Sequence, residues 1–209
     1  MTVSHHPMDE TLFAYVAGAL DDGRAVVVEA HVRHCTRCQN SIAVLEQTAG
    51  QMLQDVPCEA MGEGALGAVL ERLELIGQDK PVAALPSLID DVLASPDRGP
   101  WKWVGPGVHV RPLITPKGPG ARVFLLKAAP GLGLPQHTHT GTELTLVLSG
   151  AFAHAGGRFG PGDCDDADDT DEHNPVVDPG EACICLVAMD GHLKLQGLLG
   201  RIVQPFVRL

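Results

Sequence analysis

At 209 residues and 44% hydrophobic composition, the chain carries enough apolar material for two small cores, which excludes wholesale disorder. A formal net charge of -11 argues against direct contact with nucleic acid, whose phosphates require a basic face, and points to basic proteins as partners. The longest uncharged apolar run, residues 144–153, is about half of what a membrane helix needs, and no basic residue or long apolar core precedes Asp9, so a cytoplasmic protein off the membrane is expected.

From Asp9 to about Gln78 apolar residues recur at helical spacing, first as Leu12, Val16, Ala19 and Leu20 and later as Leu66, Val69, Leu70, Leu73 and Ile76. Asp21, Asp22 and Gly23 break the first helix and cap a second, which runs from about Arg24 to Cys35. A third passes through Ala43, Val44 and Leu45, and a fourth spans 63–77, with Gly62 and Gly64 at its start and Gly77 at its end. Residues 1–85 are therefore expected to form a small all-α domain with a thin core. They hold 5 basic and 12 acidic residues, against 10 and 14 in the remainder, and so carry the denser negative charge.

Within the helices, His31-x3-Cys35-x2-Cys38 places three donors at i, i+4 and i+7, on one side of a helix end and the turn after it. In a reducing compartment six cysteines are metal ligands or redox thiols sooner than a disulfide framework. Two thiolates and an imidazole favour zinc, which needs a fourth donor. His6 is chosen for that place, with His5 beside it as an alternative and His34 as the competitor to His31. In so thin a domain the metal would supply much of the folding free energy.

Residues 86–106 read as a linker, since Pro86, Pro96, Gly99, Pro100 and Gly105 interrupt any regular element, apart from one short helix expected at 87–94. Beyond it, short apolar or alternating runs at 108–114, 122–128, 143–148 and 182–188 are separated by Gly and Pro turns, so residues 107–209 are expected to be an all-β jelly-roll barrel. Trp101 and Trp103 alternate at the strand leading into it and are read as packing residues.

The segment Gly131-x5-His137-x-His139-x3-Glu143-x6-Gly150 sets two histidines on one strand face and a carboxylate on the neighbouring strand. Gly162-Asp163 is a turn opening another strand, and His173 follows eleven residues after Gly162. These two segments resemble the motifs of the cupin superfamily. The first matches at every spaced position; the second keeps only Gly162 and His173, with its usual Pro and Gly falling at Asp168 and Thr170 and its usual Asn at Val177. The set His137, His139, Glu143 and His173 would hold one divalent metal, zinc foremost, with iron, manganese, nickel or copper also suited to three imidazoles and a carboxylate.

Cys183 and Cys185 face the same side of one strand and form a candidate redox pair, although thiols at i and i+2 on an extended strand are poorly placed to bond each other. Cys58 and Cys164 have no partner by spacing. The acidic run from Asp163 to Glu172 reads as a solvated loop.

His6 with His31-x3-Cys35-x2-Cys38, then a proline-rich linker, then a cupin, together resemble the ChrR-type anti-sigma factors over essentially the whole chain, including Glu143-Leu144-Thr145-Leu146-Val147-Leu148 and the terminal Arg201-Ile202-Val203-Gln204-Pro205-Phe206. The resemblance implies a transcriptional regulator that never touches DNA. Its zinc-binding helical domain would wrap an extracytoplasmic-function sigma factor in a 1:1 heterodimer, keeping it from RNA polymerase. Its cupin would be needed for release under photo-oxidative stress, as in a singlet oxygen response, or under other oxidative stress. Apolar faces built on Leu12, Phe13 and Val16, or on Leu66, Leu70 and Leu73, are candidates for burial against that partner. The competing reading is a metal-dependent cupin oxidoreductase, dioxygenase-like, with an accessory zinc domain.

Overall fold

Four helices form close to where the apolar spacing puts them: α1 (Asp9–Val16), α2 (Asp22–Val32), α3 (Thr36–Gln54) and α4 (Ala65–Gln78). They are seen in a computed structural model that describes residues 3–78, 100–114, 120–168 and 174–195. The linker helix expected at 87–94 lies outside the described residues. Asp21 starts α2 as anticipated: its carboxylate accepts the N–H groups of Gly23 and Arg24, which would otherwise be orphans of the first turn, and pairs with the Arg24 guanidinium. By packing, Met1–Leu45 group with Pro96–Leu209, and Glu46–Ser95 form a second unit.

The strands are β1 (Lys102–Gly105), β2 (Val108–Ile114), β3 (Arg122–Ala128), β4 (His137–His139), β5 (Glu143–Ser149), β6 (Phe152–His154), β7 (Gly157–Phe159), β8 (Cys164–Ala167), β9 (Val176–Val177), β10 (Cys183–Met189) and β11 (Leu193–Leu195). All the strand ladders among the described residues are antiparallel. A six-stranded sheet has the order β1-β2-β3-β10-β5-β8, and the smaller sheets β11-β4 and β7-β6-β9 complete the jelly roll. The long strands match the expected runs to within a residue or two. The short ones, two to four residues each, are too brief for alternation to mark them.

Register shows why β5 and β10 read as almost unbroken apolar runs. Cys185 pairs with Leu126 and Val147, and Val187 with Phe124 and Thr145, so one face of the sheet turns these side chains into the barrel. They join a core with Val110, Phe152, Phe159, Val177, Cys183 and Met189. The other face carries Val123, Leu125, Leu144, Leu146, Leu186 and Ala188. Helix α2, with its buried Val26, Val27, Val28 and Ala30, packs across β3, β5 and β10. A strand covered on both faces needs no polar side.

Docking of α2 is close. A Cβ placed on Gly23 would meet the Ala121 carbonyl oxygen at 2.5 Å, and the Asp21 carboxylate that caps the helix also accepts the Ala121 N–H at 3.1 Å.

Candidate metal centres

The donors of the helical motif converge because α2 ends and α3 begins within four residues. His31 sits in the last turn of α2, Cys35 in the intervening turn and Cys38 in the first turn of α3. His6 reaches them from the segment before α1. One donor atom from each of the four residues lies within 4.8 Å of the others. Individual separations are 3.2 Å from Cys35 Sγ to His6 Nδ1, 3.3 Å from His31 Nε2 to Cys38 Sγ, 3.4 Å from His6 Nδ1 to His31 Nε2 and 3.5 Å from Cys38 Sγ to His6 Nδ1. Donors about 2.0–2.3 Å from a common tetrahedral centre would be spaced in this range, so two sulfurs and two nitrogens fit zinc.

The alternatives considered for this cluster fall elsewhere. His5 packs against Phe159 with ring centroids 4.1 Å apart and the rings tilted, and His34 is exposed. His31 donates from Nδ1 to the Gly162 carbonyl at 2.9 Å, which leaves the lone pair on Nε2, the atom turned to the cluster. Burial pushes the His31 pKa down to about 4 against that contact, so the imidazole is neutral at physiological pH. Burial and the neighbouring Cys35 push the Cys38 thiol up to about 12. Metal uptake must therefore expel its proton. Apparent zinc affinity is expected to rise with pH between 5 and 8, about tenfold per unit for each proton expelled, with His31 adding nothing in that window. Chelator competition at stepped pH checks the slope.

In the barrel, His137 is buried and donates from Nδ1 to the Pro135 carbonyl at 2.8 Å. Glu143 accepts from the Thr145 hydroxyl at 3.0 Å. Burial pushes its carboxyl up, against His137 and Thr145, which favour the ionised form. Both line a cavity of about 300 Å³ whose wall is otherwise mostly apolar and includes Phe124, Leu126, Val187 and Met189. The backbone of His139 pairs with Leu193 in the β4-β11 ladder. Its side chain and the whole of His173 lie outside the described residues. Among the described residues, then, the structure assembles the helical set and brings two of the four barrel donors to one cavity. A carboxylate and an imidazole whose other nitrogen is already fixed suit a divalent cation there. Cys183 and Cys185 also line this cavity, with sulfurs 3.6 Å apart.

The acidic run departs from expectation. Asp163 is 5% exposed, and Asp165 and Asp166 lie on β8 and are half-buried. The solvated-loop reading fails for these three because each has found partners. Asp163 accepts the N–H groups of Ser4 at 2.6 Å, His5 at 2.9 Å and Gly160 at 2.8 Å. Burial would raise its pKa, but these hydrogen bonds outweigh it and hold the carboxyl below its usual value. Asp165 pairs with His154 at 2.9 Å and lines the barrel cavity. Asp166 accepts the Met8 N–H at 2.9 Å and the Thr11 hydroxyl at 2.7 Å. Cys164, between them, is fully buried and Cys58 is exposed.

Comparison with known proteins agrees with this two-part build. A family described as the ChrR cupin-like domain matches residues 90–193, and one described as a putative zinc-finger matches residues 9–39, which contain His31, Cys35 and Cys38. The anti-sigma-E factor ChrR of Cereibacter sphaeroides is 38% identical over 216 aligned residues, covering all of both chains. This chain belongs to the ChrR family of anti-sigma factors. The crystal structure of Rhodobacter sphaeroides SigE in complex with the anti-sigma ChrR matches with a TM-score of 0.76 and 37% identity, over 90% of this chain and all of that one. As a ChrR-family anti-sigma factor the protein is a transcriptional regulator and not an enzyme. No helix among the described residues is long and apolar enough to cross a membrane.

Proposed function

We propose that this protein holds zinc through His6, His31, Cys35 and Cys38, sequesters an extracytoplasmic-function sigma factor in a 1:1 complex through residues 1–85, and releases it when oxidative stress reaches the cupin of residues 107–209. The observation that carries the reading is the full-length identity to an anti-sigma factor, joined to a matching fold solved with a sigma factor bound. The protein acts in the cytoplasm, where its partner meets RNA polymerase. His137, His139, Glu143 and His173 hold one divalent metal, zinc foremost. Oxidants act on that metal shell or on Cys183 and Cys185, and singlet oxygen is one candidate signal. Co-expression with the sigma factor encoded beside it, followed by a pull-down under reducing conditions, tests the proposal, and absence of a complex would sink it.

Exposure narrows the contact face. Leu12 is 2% exposed and committed to the fold, whereas Phe13 is 61% exposed. On α4, Leu66, Val69, Leu70 and Leu73 recur at helical spacing and are each more than half exposed. A stripe of this kind suits burial against a partner helix. Leu70→Glu is expected to weaken sigma capture at least tenfold, while its thermal transition stays close to that of the unmodified chain; unchanged capture would move the interface elsewhere.

A further inference from the structure

We propose that Asp163 is a positioning residue for the His6–His31–Cys35–Cys38 centre: its carboxylate clasps residues 4 and 5 onto the barrel while the adjoining Gly162 carbonyl holds His31, so one barrel turn orients two of the four donors. The inference rests on the zinc reading and adds to it a support from outside the helices. Asp163 lies 159 residues from Ser4 in the chain, yet its Oδ1 accepts the Ser4 N–H and, at 2.9 Å, the His5 N–H. The Ser4 hydroxyl donates to both carboxylate oxygens, at 3.1 and 3.2 Å. The Gly160 N–H, at 2.8 Å, fixes Oδ2 from the barrel side. Immediately beyond the clasped pair stands His6.

Backbone pairing extends the grip. Cys164 donates its N–H to the His5 carbonyl at 3.1 Å, so the segment lies along β8, the last strand of the six-stranded sheet, and covers part of an otherwise open edge. The turn is shaped for the approach. Gly162 has φ +90°, and a Cβ there would come within 3.1 Å of Val3 Cγ2; Gly157 has φ +132°, and a Cβ there would meet His5 Nε2 at 2.8 Å. A side chain at either position would push the segment off, and His6 with it.

Side chains alternate across β8, and Asp165, between Cys164 and Asp166, lines the cavity that holds His137 and Glu143. Asp166, on the opposite face, accepts the Met8 N–H, and the Cys164 N–H holds His5 from the strand edge. A single strand therefore separates the barrel cavity from the hold on His6. Outer groups that orient metal ligands typically change affinity about ten- to a hundredfold when removed.

The test measures zinc affinity of the full-length protein by chelator competition, together with the cobalt(II) absorption spectrum, for the unmodified chain, Asp163→Ala and Asp163→Asn. Asp178→Asn, at the exposed Arg158 pair, controls for loss of a barrel carboxylate. Asp163→Ala is expected to bind zinc about ten- to a hundredfold more weakly, with the cobalt ligand-field bands losing intensity as a four-donor site opens. Asp163→Asn, which keeps one acceptor oxygen, falls between, and Asp178→Asn matches the unmodified chain. Hydrogen exchange on the unmodified chain needs no variant: removing zinc is expected to raise exchange at residues 4–6 and 160–164. Zinc affinity and cobalt spectra indistinguishable between Asp163→Ala and the unmodified chain, or exchange there unmoved by zinc removal, overturns the inference. If the unmodified chain itself takes up no zinc, the zinc reading fails instead.

Discussion

Replacing Cys38 with serine is expected to cost the protein its tight zinc and, with it, the ability to hold a sigma factor. Cys38 is 1% exposed and its sulfur stands 3.3 Å from His31 Nε2 and 3.5 Å from His6 Nδ1. Structural zinc sites of this donor type bind with about 10–16 kcal/mol of apparent free energy near neutral pH. An even share for one of four donors is about 2.5–4 kcal/mol, roughly a hundred- to a thousandfold in affinity. Because the four donors would tie the segment before α1 to the α2–α3 turn, that loss is also a loss of folding free energy. Chelator competition reads the affinity and far-ultraviolet circular dichroism, with and without zinc, reads the helices. A serine variant that keeps one zinc at unchanged affinity would remove Cys38 from the centre.

Leu186→Ala carries the second large effect. Leu186 is 0% exposed, its strand is paired on both sides to β3 and β5, and α2 lies over that sheet. Truncating a buried leucine costs about 2–5 kcal/mol through lost transfer energy and the cavity left behind. For a chain of this size each kcal/mol is worth about 2–4 °C, so a fall of roughly 4–20 °C in the melting temperature is expected. The variant leaves every proposed metal donor in place. Calorimetry against metal content separates the two: a fall in stability at constant metal load is the expected pattern, and loss of metal without loss of stability would contradict it.

The helical centre was legible in the sequence because its chemistry is local. His31, Cys35 and Cys38 lie within eight residues, and the only long step was to His6. The barrel's long strands were legible because β3, β5 and β10 are apolar enough to announce themselves. Asp163 was not. In a Gly-Asp turn amid other acidic residues it has the signature of solvent, and its partners stand 158 and 159 residues away. The His154–Asp165 pair was hidden for the same reason on a smaller scale, since its members come from separate short strands. Nor did the helical periodicity distinguish Leu12, which is inside, from Phe13, which is outside. The face of α1 is set by what it meets, which no count along the chain contains.

Helix α2 and the outer face of β10 are two walls of one core, although 150 residues of chain separate them. Their contact is secured by complementary apolar surfaces, by the Asp21 carboxylate on the Ala121 N–H and by the Asp163 carboxylate on residues 4 and 5. The two walls therefore melt together, and heating is expected to unfold α2 and the six-stranded sheet in one cooperative transition.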